Sequence, residues 1–150
     1  MIPENKPKVI LMADDDEDDR LLAQDALREA WPEGNLRFVQ NGEELLEYLH
    51  QRGAYALAGN APRPGLILLD LNMPRKGGCE ALREIKAEPG LRRIPVVIFT
   101  TSKADTDIAT IYELGASSFI AKPFQFEELV KLMRMLAAYW FETVMLPVSN

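Results

Sequence analysis

Cysteine occurs once in the 150 residues, and so does histidine. Cys79 alone cannot close an internal disulfide, and with His50, the single histidine, it falls short of the nitrogen and sulfur ligands that zinc requires. No apolar run approaches the ~20 residues needed to cross a bilayer. The opening "MIPENKPK" lacks the basic start and apolar core of a secretory leader. Basic residues are outnumbered, 17 against 23 acidic, for a formal charge of -6. That balance weighs against nucleic acid and anionic lipid, which reward clustered Lys and Arg, and no basic recognition helix follows Trp140. The expectation is a cytoplasmic protein with no nucleic-acid or membrane partner, better suited to a cation or to a protein with a basic face.

What is present is apolar material in a regular order. At 47% hydrophobic content the chain can bury the core of one domain without staples. "KVILMA" is followed by apolar positions at helical spacing over residues 18 to 30, and strand then helix recurs: "LRFV" with "NGEELLEYLHQ", "LILLD" with "CEALREIKAE", "PVVIFT" with "DTDIATIYELG", "SSFIA" with "QFEELVKLMRMLAAYW". "LILLD" and "PVVIFT" are apolar throughout, as strands covered by helices on both faces must be, so the sheet is expected to be central and parallel. Right-handed crossovers then give a doubly wound α/β fold. Residues 52–65 read as a long loop.

The last helix carries more apolar surface than one sheet can cover. Leu136, Tyr139 and Trp140 lie outside a single stripe, and Phe141 begins a further apolar stretch with no strand left to meet. Two readings stand: a tail folded back over its own domain, or a surface for a second copy or a partner.

In an open parallel sheet the working crevice lies beyond the carboxyl ends of the strands. There the first strand delivers Asp14 and Asp15, the third Asp70, the fourth Thr100 and the fifth Lys122 before Pro123, whereas the second ends in "VQNG". Residues 13–19, "ADDDEDD", hold four further acids, Asp16, Glu17, Asp18 and Asp19. Those four are read as caps and dipole partners of the following helix. Asp14, Asp15 and Asp70 in one pocket would repel by about 4 kcal/mol per pair at 4 Å and an effective dielectric of 20. A hard divalent cation removes that cost, and Mg²⁺, content with one or two carboxylates and several waters, suits an open crevice. A carboxylate beside a cation and a lysine can attack phosphorus, with Lys122, Thr100 and nearby main-chain N–H groups taking the phosphoryl oxygens.

The segments "MADDDEDD", "LILLDLNMPRKGG", "PVVIFTTS" and "GASSFIAKPF", in this order, resemble the receiver domain of two-component response regulators over about residues 7–140, leaving 141–150 as a tail. The resemblance implies a flavodoxin-like (βα)5 sheet of order 2-1-3-4-5, as in the chemotaxis member of the family. It makes Asp70 the phosphoacceptor for a histidine kinase. Mg²⁺, or Mn²⁺ in its place, would be held by Asp15, Asp70 and the main-chain carbonyl of Asn72, with Asp14 acting through water. Thr100 and Lys122 would read the phosphoryl group, Phe119 would turn with Thr100 as a switch, and the bond before Pro123 would be cis. The long loop before the third strand and the ending "AAYWFETVMLP" are similar to response regulators paired with bacterial and cyanobacterial phytochromes. That likeness implies a phytochrome-type kinase as partner and favours a homodimer through Leu136, Tyr139, Trp140 and Phe141.

Thr101 and Gly77 depart from the commonest family pattern and bear on how long an acyl phosphate lasts. An aspartyl-phosphate phosphatase, the enzymatic alternative, would carry an acid two residues past its nucleophile, where this chain has Asn72. No independent substrate turnover is therefore expected.

Overall fold

The computed structural model describes residues 8–57, 59–101 and 108–147. Five strands, β1 (Val9–Ala13), β2 (Asn35–Val39), β3 (Leu66–Leu69), β4 (Val96–Thr100) and β5 (Ser118–Ala121), pair in parallel in the order β2-β1-β3-β4-β5. The helices are α1 (Glu17–Ala30), α2 (Gly42–His50), α3 (Gly78–Ala87), α4 (Ile108–Glu113) and α5 (Phe126–Ala137). The expected start of the fourth helix, residues 105–107, lies outside the described residues. Among those described, no helix is long and apolar enough to cross a membrane. The long loop holds one short 3-10 turn, Gly53–Tyr55, that its sequence did not announce.

The sheet divides the apolar residues into two cores. Leu11 and Ala13 of β1 point to one face and meet Leu45, Leu82 and Ile85; Ile10 and Met12 point to the other and meet Ala26, Leu27 and Met133. This is the two-residue alternation of a strand, and it stays hidden in the sequence because both faces are covered. Every residue of β1, β3 and β4 is buried, while the edge strands β2 and β5 are only partly so.

The last helix does not run on to Trp140 as its spacing suggests. After Ala137 the chain widens into a π-helical turn, Ala138–Thr143, in which the Thr143 hydroxyl donates to the Ala138 carbonyl at 2.7 Å. The wider turn brings the Phe141 ring to 4.8 Å from Trp31, the residue that ends α1. Leu136 and Phe141 are thereby 1% and 5% exposed, buried in the chain's own core. They cannot belong to a dimer surface, which corrects the expectation for those two positions. Trp140 is half-buried against the same core, and Tyr139 and Met135 remain exposed.

Under α2, the Tyr48 hydroxyl donates to the Pro62 carbonyl at 2.8 Å, and burial pushes its phenol up to about 12 from 10.0. The folded protein keeps this proton where the unfolded chain has released it. The contribution of Tyr48 to stability is therefore full below pH 10 and is lost as pH climbs through 12, by about 2–3 kcal/mol. Urea denaturation across this range is expected to show the alkaline loss in the unmodified protein and a clearly smaller one in Tyr48→Phe.

Candidate functional site

Backbone hydrogen bonds continue the ladder just past the strand ends and so aim the side chains. Asp70 N–H donates to the Ala13 carbonyl at 3.1 Å, Lys122 N–H to Thr100 at 2.9 Å, and Asp14 N–H to Val39 at 3.0 Å. Because β1, β3, β4 and β5 are consecutive in the sheet, the four strand ends form one continuous rim. The edge strand β2 supplies only the backbone acceptor for Asp14.

Three sequence-predicted residues close on one another. The Thr100 hydroxyl donates to Asp70 Oδ1 at 2.9 Å, and Lys122 Nζ donates to Asp70 Oδ2 at 3.0 Å. Asn72 N–H also donates to Asp70 Oδ1, at 3.2 Å. Lys122 Nζ further reaches Asp14 Oδ2 at 2.5 Å, and its ammonium stands 5.8 Å from the centre of the Phe99 ring. Asp14, Asp70 and Thr100 are all buried, whereas Asp15 is exposed beside them.

Burial raises the Asp14 carboxyl above the usual carboxylate range, although the hydrogen bond from Lys122 and its charge pull the other way. For Lys122 burial opposes the charge, but the bonds to Asp14 and Asp19 and the charges of Asp14 and Asp70 override it and hold the ammonium above the usual lysine range. Lys122 is thus a fixed positive charge in the pocket.

Asp14, Asp15 and Asp70 can each offer a carboxylate oxygen, all within 4.8 Å of one another. An all-oxygen set of this compactness fits a hard divalent cation and gives zinc or copper none of the ligands they prefer. The donor chemistry therefore agrees with the expectation of a hard divalent cation.

Two site residues escaped the sequence reading. Asp16 caps α1 as expected, accepting from the N–H groups of Asp18 and Asp19 at 2.8 and 3.2 Å. The Asp19 carboxylate, however, takes a hydrogen bond from Lys122 Nζ at 2.9 Å. Its place in the first turn of α1, directly after the strand end, is the signal. Arg20 was also overlooked; its Nη1 donates to the Asp14 carbonyl at 2.8 Å and steadies the strand-to-helix turn.

The expected cis bond before Pro123 is a correction. No peptide bond among the described residues is cis, that bond included. The ladder bond from Lys122 N–H to Thr100 already turns the lysine into the pocket, so the ordinary trans form suffices. Phe119 lies on β5, half-buried against the core, with its N–H donating to the Tyr112 hydroxyl at 3.2 Å.

Comparison with known proteins gives this rim its context. The model of the response regulator receiver domain matches residues 10–134. Response regulator Rcp1 of Synechocystis sp. is 41% identical over 145 residues, 97% of this chain and 97% of that protein. The crystal structure of its Mn²⁺-bound form superposes with a TM-score of 0.82 over 95% of this chain and 100% of that one. The phosphorylated cyanobacterial phytochrome response regulator RcpA, 38% identical, gives 0.85 over 95% and 100%. Receiver domains use a divalent metal and partner with histidine kinases. Sheet order, strand-end chemistry and these matches agree over nearly the whole length, and the chain belongs to the response regulator receiver domain family, the phosphoacceptor side of two-component signalling.

Proposed function

We propose that Asp70 accepts a phosphoryl group from the phosphohistidine of a phytochrome-type sensor kinase, with Mg²⁺ as the working cation. One observation carries the reading: Thr100 and Lys122 converge on the two oxygens of Asp70 at 2.9 and 3.0 Å. Asp15, Asp70 and the main-chain carbonyl of Asn72 would hold the cation, with Asp14 acting through water. When bound, the cation neutralises the crowded carboxylates and part of the phosphoryl charge. An Asp70 oxygen attacks phosphorus, the phosphorus–nitrogen bond breaks, and the departing imidazole takes a proton from solvent water. Lys122 Nζ then donates to one phosphoryl oxygen as a point charge and Thr100 Oγ1 to another. The Thr100 shift toward phosphorus leaves room into which Phe119 turns, altering the β5 and α4 surface that a partner reads. No turnover of an outside phosphoester belongs to this scheme.

The kinase assignment rests on likeness to phytochrome response regulators, and a second copy of the chain would seat on the exposed Met135 and Tyr139 flank of the last helix. Acetyl phosphate with Mg²⁺ tests the reaction. The expected result is one hydroxylamine-labile phosphoryl group on the peptide containing Asp70, absent when EDTA replaces Mg²⁺, with light scattering of the beryllofluoride-treated protein giving twice the chain mass. Label on another peptide would remove Asp70 from this role, and label indifferent to EDTA would remove the cation from it.

A further inference from the structure

The Lys122 ammonium has three hydrogens, and three carboxylates take them: Asp14 at 2.5 Å, Asp19 at 2.9 Å and Asp70 at 3.0 Å. Two of these, Asp14 and Asp70, also belong to the compact set of oxygens able to hold a cation. Lysine and cation therefore draw on the same two carboxylates. When the cation takes Asp70 directly and draws on Asp14 through water, both of those partners of the lysine are weakened, in a setting where its own side chain is only 8% exposed. A buried ammonium stripped of partners is costly. Asp19 stands apart from the cation set, on the first turn of α1, and with its side chain 34% exposed it can keep an ammonium near solvent.

We propose that Asp19 is a positioning residue that holds Lys122 once a divalent cation has engaged Asp70 directly and Asp14 through water. In this role Asp19 favours cation entry, not by attracting the ion directly, but by giving the displaced lysine somewhere to go. The same tether keeps Lys122 over the pocket, ready to swing to an incoming phosphoryl oxygen. The inference rests on the reading that Asp14, Asp15 and Asp70 take a divalent cation.

A double-mutant cycle on Mg²⁺ affinity, measured by calorimetry without any phosphodonor, separates this from simple attraction. Asp19→Asn is expected to weaken Mg²⁺ binding about 5- to 10-fold where Lys122 is present and less than about 2-fold in the Lys122→Gln background. Asp19→Glu, which keeps the carboxylate, should recover most of the loss. An equal weakening in both backgrounds would show that Asp19 acts on the cation through space, and would overturn the proposal while leaving the cation site standing. Failure of the unmodified protein to take up Mg²⁺ at all would remove the cation reading, and the proposal with it. Asp19 is a part-exposed helix residue, so its variants are expected to fold, and circular dichroism checks that Lys122→Gln, made at a buried position, keeps the fold before its Mg²⁺ affinity is compared.

Discussion

Asp70→Asn is expected to abolish phosphoryl uptake while leaving the fold intact. The amide has nearly the shape of the carboxylate, so its oxygen can still accept the Thr100 and Asn72 hydrogen bonds now made by Oδ1 at 2.9 and 3.2 Å. What disappears is the anionic oxygen that bonds to phosphorus, and an amide is no substitute at neutral pH. Removing one carboxylate also relieves crowding, and Lys122 keeps Asp14 and Asp19 as partners. Stability should therefore change by no more than about 1 kcal/mol in either direction. Incubation with acetyl phosphate and Mg²⁺, followed by intact-mass measurement, checks the loss, and urea denaturation checks the fold. Full labelling of the variant would place the acceptor elsewhere.

The second large effect comes from a residue that carries no reacting group. Gly78 opens α3, and a methyl group there would press on the Asp70 carbonyl oxygen and come to 2.8 Å from the Leu71 Cα. Both obstacles are backbone, which cannot rotate away as a side chain tip would. Ala gains up to about 1 kcal/mol over Gly in helix propensity, but forcing a methyl against packed backbone costs about 1–3 kcal/mol or more. The collision wins, and its relief moves the segment that carries the phosphoacceptor. Gly78→Ala is expected to lose about 1–2 kcal/mol of stability and to slow labelling by acetyl phosphate at least about 10-fold, since small misplacements at a reacting centre are expensive. Gly77→Ala is the control: its methyl would find Leu71 oxygen at 3.4 Å, an ordinary contact, and both readouts should stay near those of the unmodified protein.

Much of this arrangement could be read from residue order because strand ends are the most legible points of a parallel α/β fold. Apolar runs stop abruptly, and the residue just past each stop is polar for a reason. Asp14, Asp70, Thr100 and Lys122 stand at such points, and the structure joins them by hydrogen bonds. Asp19 is harder to find, because an acid in the first turn of a helix already has a sufficient explanation in the dipole and the free N–H groups. The double duty shows only when Lys122, more than a hundred residues later, is brought opposite. The ending is ambiguous for another reason. Leu136 and Phe141 would look alike in sequence whether they cover their own core or a neighbour's, and the added residue per turn after Ala137 answers to Trp31, which no local pattern reveals.

The seat of that π-helical turn governs how the molecule can be observed. Both tryptophans, Trp31 and Trp140, stand at the far ends of α1 and α5, about 20 Å along each helix from the rim at 1.5 Å per residue. Intrinsic fluorescence is therefore a gauge of how firmly the chain's end is docked beneath the sheet, and is poorly placed to sense an ion arriving on the opposite side.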